Sequence, residues 1–239
     1  MRDILGLMRE RHSARAPYDP QRKLTKQQLA AILEAASWAP TAHNMQNFEV
    51  VVIDDAACLQ AIAAVKTKAN AVFLRENFAQ LSFSEEELRR KKAGVIASMF
   101  PPAWRTAGAD FDAVAAAAEP QPLSHSMQGC PCLLLVLYDA RKRAPASEGD
   151  VLGFLSLGCV MENMWLAAEF LGVGLQILSV FSSEPVEREI RRIVDFPSHL
   201  KIAYACRLGY PAAARDYVRV RRDVNDFAHR NRYGGKGLE

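Results

Sequence analysis

The chain has 239 residues, half of them hydrophobic and 24% charged. That composition excludes fibrous and intrinsically disordered classes, and the length suits one domain with elaborations around a single core. The formal net charge is +3, with Arg9, Arg11 and Arg15 crowding the start and Arg215, Arg219, Arg221, Arg222, Arg230 and Arg232 the end; such clusters suit a phosphate-bearing ligand, a nucleic-acid backbone or a solvated surface.

In chain order, Asp3 is placed to cap a short helix through Glu10 that delivers the chain to Arg11-His-Ser-Ala-Arg15. Thr25-x-x-Gln28 reads as a capping box, and Leu29, Ile32, Leu33 and Ala36 give the following helix one apolar face, ending before Pro40. Phe48 to Ile53 is β-branched and apolar enough for a buried strand, so Thr41 to Asn47 is a loop. Asp54 or Asp55 starts another helix towards Val65, and Ser84-x-x-Glu87 opens a charged helix to about Ser98.

Between Pro101 and Ser126 the pattern loses its period and reads as an insertion or lid. Leu133 to Tyr138 has the length and branching of a buried strand, followed by a basic turn at Arg141 to Arg143. Val151 to Leu171 is apolar nearly all round and long enough to span a membrane. Glu162, Asn163 and Glu169 argue against that reading, because each charge in hydrocarbon costs about 2.5 kcal/mol or more. A core helix capped by Gly172 fits better. Leu175 to Val180 then reads as a strand, Ser183-x-Pro185 as a helix start, and Ile202 to Leu208 as a strand ending at Gly209-Tyr-Pro211.

Of the five cysteines, four lie in strongly apolar surroundings, which suits reduced, structural thiols. Cys130-x-Cys132 lacks a second ligand pair at zinc spacing, so no metal is expected. The N-terminus has no apolar h-region, and a cytoplasmic location is the expectation.

Arg11-His12-Ser13-x-Arg15 offers guanidiniums, an imidazole and a hydroxyl, a phosphate-binding set whose bland alternative is a solvated basic turn. Pro40-Thr41-Ala-His43-Asn44-x-Gln46 concentrates groups that both donate and accept, as the mixed edge of a flavin ring requires; an ordinary turn bonded to its own backbone is the alternative. Arg219-x-Arg221-Arg222 adds charge near the end, without a helix-turn-helix, zinc or RNA-binding motif beside it, so no nucleic-acid partner is expected. No Ser-His-Asp order or phosphate-cradling glycine loop stands out, and any reactivity is expected to come from a cofactor.

Taken in order, Arg11-His-Ser-x-Arg15, Ala39-Pro-Thr-x-x-Asn44-x-Gln46, the strand at Val50, the long helix ending Leu171-Gly-Val-Gly174, Leu208-Gly-Tyr-Pro211 and Arg219-x-Arg221 resemble the FMN-dependent nitroreductase family. The resemblance spans most of the chain and is thinnest from about Lys68 to Gln128, expected as a variable insertion or lid within a single domain. It implies an α+β fold, a central, mainly antiparallel sheet wrapped by helices, in an intertwined homodimer without a membrane partner. By position, Arg11, Ser13 and Arg15 would bind the phosphate or ribityl chain of FMN, with Arg219 and Arg221 or Arg222 joining from the tail. His12 matches a variable site. Pro40, Thr41, His43, Asn44 and Gln46 would come from the other subunit against the ring, and Leu178 and Ser179 would approach its N5 side.

The family departs here in three places: His43 stands where small residues are common, and Asn47 and Asp223 replace prolines. The implied chemistry is ping-pong reduction of nitroaromatic, quinone or similar small acceptors by NADH or NADPH. Reductive dehalogenation, flavin fragmentation and a non-catalytic FMN-binding role are the alternatives, with Trp104 the candidate substrate lid.

Overall fold

A computed structural model of the chain describes residues 3–80, 82–100, 102–104, 108–213 and 218–235. Asp3 caps α1 (Ile4–Glu10) by accepting from the Gly6 N–H. Thr25 and Gln28 close a reciprocal capping box on α2 (Lys26–Ser37). β1 (Phe48–Ile53) leads to Asp55, which of the two candidates Asp54 and Asp55 is the one that caps α3 (Ala56–Ala64). Then come β2 (Lys66–Thr67), α4 (Ala71–Arg75), β3 (Ser82–Phe83), α5 (Glu85–Lys91), β4 (Val95–Ile96), α6 (Phe111–Ala117), β5 (Gln121–Pro122) and α7 (Ser124–Met127). β6 (Cys132–Asp139), α8 (Val151–Phe170), β7 (Gly174–Leu178), α9 (Glu184–Val194) and β8 (Leu200–Gly209) complete the order.

The chain divides into two compact units, one of Met1–Thr67 with Gln121–Ala214 and the other of Lys68–Pro120 with Arg215–Glu239. In the first, β1-β6-β8-β7 form a four-stranded sheet with every pairing antiparallel. Leu133, Leu135 and Leu137 face a cluster containing Ile62, Phe181, Val186 and Ile190. Cys132, Leu134 and Val136 face Ile32, Ala36, Val160 and Met164 on the other side. The apolar run of β6 therefore lacks alternation because helices cover both its faces. Val136 pairs with Tyr204 and Leu137 with Ile202, so Ala203 is an extra residue on β8; Ala203 and Tyr204 consequently both pack on the α8 side.

By length and composition α8 is apolar enough to cross a membrane. Its Leu157, Val160, Met164 and Ala168 instead share a core with α2 and the sheet, as expected for a core helix. Gly172, at φ +69°, ends it in the left-handed conformation that favours glycine.

At the exit of β6, Arg141 donates to both carboxylate oxygens of Asp139 at 3.0 and 2.9 Å, and its N–H adds a third bond at 3.0 Å. These bonds to the charged form hold the Asp139 carboxyl well below its usual range. A depressed folded-state pKa contributes stability present above the unfolded value of about 4 and lost as pH falls below it. Asp139→Asn is therefore expected to lose less melting temperature than the wild type between pH 7 and pH 3. Equal losses in the two thermal scans would remove this assignment.

Two expectations need correction in the second unit. The charged helix α5 ends at Lys91 rather than near Ser98: Lys92 turns left-handed at φ 52°, and Val95 and Ile96 pair with Ser82 and Phe83. The alanine-rich stretch is a helix, α6, because Asp110 accepts from the Asp112 and Ala113 N–H groups. Alanines favour a helix without marking one of its faces, so periodicity did not reveal it. Residues 101 and 105–107 lie outside the described residues.

Candidate functional site

After α1 the chain runs extended across the first unit. Ala14, Ala16 and Tyr18 are almost fully buried, whereas Ser13 and Arg15, which alternate with them, are only half-buried. The Ala14 N–H donates to the Leu175 carbonyl of β7 at 3.0 Å, and the Tyr18 N–H to Gln128 at 2.9 Å. A Cβ on Gly209 would lie 2.6 Å from the Tyr18 ring, so only glycine admits this crossing at the end of β8. The segment of Ser13 and Arg15 is thus fixed against β7, the edge strand that ends in Leu178 just before Ser179. Leu178 is buried in the core, and Ser179 is exposed as the first residue of a 3-10 turn, Ser179–Ser182. The expected strand to Val180 stops two residues early because this turn buries Phe181.

α8 braces the beginning of the motif. Arg11 stacks on Trp165, 4.4 Å from its ring centroid, and its Nε lies 3.3 Å from Glu162. Trp165 Nε1 donates to the His12 carbonyl at 3.0 Å, and His12 Nδ1 lies 3.6 Å from Glu169. Arg11 and His12 are therefore engaged with α8. Glu162 and Glu169, which argue against a membrane span in the sequence, carry this contact.

The second set sits in the loop after α2. Pro40, His43, Asn44 and Gln46 are exposed, and Thr41 is half-buried. Thr41 Oγ1 accepts from the Gln46 N–H at 3.1 Å, and Gln46 Nε2 donates to Asn44 Oδ1 at 3.0 Å. Ser156 of α8 ties the loop down: its Oγ accepts from the Ala42 N–H at 2.9 Å and donates to the Leu152 carbonyl at 2.7 Å. Ser156 was not among the sequence candidates; its only signal is a hydroxyl within an apolar helix. Asn47, where the resemblance leads one to expect proline, is buried, and among the described residues neither end of its amide has a hydrogen-bond partner.

His43, Asn44 and Gln46 have φ of 51°, 52° and 45°, left-handed conformations that asparagine adopts readily and that cost residues such as His43 and Gln46 about 1–2 kcal/mol each. For His43 that cost exceeds the entropic penalty of glycine, about 0.5–1 kcal/mol. His43→Gly is expected to stabilise the protein by about 0.5 kcal/mol, and His43→Val to destabilise it by more than about 1 kcal/mol. Urea titrations of both variants check this, and a stabilising valine would contradict the assigned backbone.

The remaining candidates lie in the second unit. Trp104 packs edge-on to Phe73 and Phe78, at 6.4 and 5.9 Å between ring centroids, as part of an aromatic cluster. Arg219, Arg221 and Arg222 are exposed, and Arg222 donates to the Asp226 carbonyl. Asp223 accepts from Lys92 Nζ, which also lies 3.5 Å from Asp226. Arg215 is outside the described residues. Burial raises the thiols of Cys130 and Cys132 to about 11 and about 12, which keeps both protonated and inert near neutrality.

The nitroreductase family model matches residues 8–210. The chain belongs to the nitroreductase family. The match includes the 11–15 segment, the 39–47 loop and the end of β7, while the tail arginines lie beyond it. Among solved structures, a nitroreductase with bound FMN from Desulfitobacterium hafniense DCB-2 is 18% identical with a TM-score of 0.59, over 96% of this chain and 98% of that one. An FMN-dependent nitroreductase from Clostridium difficile R20291 is also 18% identical, with a TM-score of 0.58, over 96% and 99% of the two chains. A nitroreductase with bound FMN from Bacteroides fragilis NCTC 9343 gives 18% identity and a TM-score of 0.54, over 90% and 93%. Comparison with curated proteins finds no match. The likeness to these structures is one of fold, and the sheet with its two helical layers is the shared nitroreductase architecture.

Proposed function

We propose that this nitroreductase-family chain is a homodimeric, NAD(P)H-dependent FMN oxidoreductase that reduces nitroaromatic, quinone or similar acceptors in a ping-pong cycle. The observation that carries the reading is the 41–47 loop. Its exposed amides, Asn44 and Gln46, stand on a backbone that turns left-handed at His43, Asn44 and Gln46 and that Ser156 of α8 ties down through the Ala42 N–H.

The donor set fits FMN. Ser13 and Arg15 suit the phosphate, a hydroxyl and a guanidinium fork on a segment whose backbone is already anchored. Arg11, braced by Glu162 and Trp165, adds positive charge, and the resemblance alone proposes Arg219 and Arg221 as further donors. Asn44 and Gln46 would match the mixed donors and acceptors of the ring edge. When bound, FMN supplies hydride chemistry between a nicotinamide and an oxidised acceptor. The chain's own residues bind, orient and shield; no side-chain acid or base is assigned.

A second subunit is supported by exposed apolar surface. Ile4 and Leu5 of α1 and Val151, Phe154 and Leu155 of α8 are each 51–60% exposed, and these two helices pack together. Exposed apolar side chains on two packed helices are surface that a second subunit would cover. Between Ser156, which holds the ring-side loop, and Trp165, which holds the phosphate-side motif, α8 rises by about 13 Å.

Anaerobic titration tests the proposal. Purified protein loaded with FMN should show the flavin absorption bands, and these should bleach on addition of NADH or NADPH and recover with a quinone. Absence of flavin binding, or bands that neither nicotinamide bleaches, would overturn it. The preferred nicotinamide follows from the same experiment.

A further inference from the structure

Arg207 lies in β8, flanked by Cys206 and Leu208, and is 1% exposed. Its Nε donates to Gln176 Oε1 of β7 at 2.8 Å. One terminal nitrogen donates to the Met127 carbonyl at 3.0 Å; the other donates to the carbonyls of Ala14 and Ala16, at 2.9 and 3.0 Å. The guanidinium stands 4.3 Å from the centroid of the Tyr18 ring. A charge buried this deeply is costly to desolvate, and its retention here coincides with several oriented acceptors.

The carbonyls it grips belong to the residues on either side of Arg15. Neighbouring backbone groups are also held: the Ala14 N–H by Leu175, the Tyr18 N–H by Gln128 and the Pro17 carbonyl by Ala212. Arg207 thus bonds to the carbonyls of both residues that flank Arg15, Ala14 and Ala16. Because it approaches from the buried side, with Ala14, Ala16 and Tyr18, the alternation of the extended chain leaves Ser13 and Arg15 on the other side.

We propose that Arg207 is a positioning residue: through the Ala14 and Ala16 carbonyls it sets where Ser13 and Arg15 present their donors, and thereby sets the preference for a phosphorylated flavin. It touches neither flavin nor substrate. This inference rests on the proposed assignment of Ser13 and Arg15 to the FMN phosphate. It goes beyond that assignment by giving a buried residue control over one chemical group of the ligand.

The test compares FMN with riboflavin, which shares the ring and ribityl chain and lacks the phosphate. Binding of both is measured by flavin fluorescence for the wild type, Arg207→Lys and Gln176→Ala, alongside thermal melting. Lysine keeps the charge but cannot reach the separated carbonyls with one planar fork. Arg207→Lys is expected to weaken FMN binding about tenfold or more while riboflavin binding stays within about twofold. Gln176→Ala, which leaves the three carbonyl bonds in place, is expected to reduce the FMN preference about threefold and supplies the comparison if the lysine variant does not fold.

Equal weakening of both ligands, or an unchanged FMN preference in a folded variant, would overturn the role of Arg207 alone. A wild type that binds FMN no better than riboflavin would overturn the phosphate assignment, and this inference with it. A drop in melting temperature without a change in preference would identify Arg207 as structural only and also overturn the proposal.

Discussion

Arg15→Ala is expected to weaken FMN binding by roughly 10- to 100-fold, since a hydrogen bond from a charged donor contributes about 1.5–3 kcal/mol. The direction follows from the fixed backbone. Ala14 and Ala16 are held in place by Leu175 and Arg207, so neighbouring residues cannot easily shift to replace the lost guanidinium. The loss should shrink at high salt, because screening weakens the wild-type contact more than the neutral variant. Riboflavin binding should be unaffected. Fluorescence titrations at low and high ionic strength check both statements, and an FMN affinity within twofold of wild type would remove Arg15 from the phosphate set.

The largest expected effect on stability is at Phe181. Its ring is fully buried beside Leu178, Val186 and Ile190, in the turn that ends β7. Phe181→Ala deletes an aromatic side chain from a core packed on the sheet, at a cost of about 3–5 kcal/mol. Urea unfolding should show an earlier midpoint with little change in slope, as expected when stability falls and the unfolded surface does not. The same turn begins at Ser179, so FMN binding should weaken in the variant even where most of the protein remains folded. A loss below about 1 kcal/mol would mean that the turn packs differently.

These outcomes bear on how far the residues alone can be read. Asp3, Thr25 with Gln28, Asp55 and Ser84 with Glu87 each cap the helix their local spacing suggests, because a cap is a bond between residues two to four apart. The runs at Phe48 and Leu133 became strands because their β-branched and apolar residues fit a pleated, buried surface. The order of motifs from Arg11 to Tyr210 was also legible, and the family match over 8–210 supports it, whereas the tail arginines lie beyond that match. Two helix readings failed for local reasons: Lys92 leaves the helix to let Val95 and Ile96 pair, and the alanines of α6 show no contrast between faces.

The amino-acid order alone therefore determined the caps, the buried strands and the sequence of motifs, all of which depend on neighbours along the chain. Only the folded molecule decided that Arg207 lies under the Arg15 segment, that Ser156 clamps the amide loop, and that His43, Asn44 and Gln46 turn left-handed. Each of these rests on partners up to nearly two hundred positions away, or on strain that distant packing sustains. Short-range propensity carries no record of such contacts, because their energy exists only once separate layers have met.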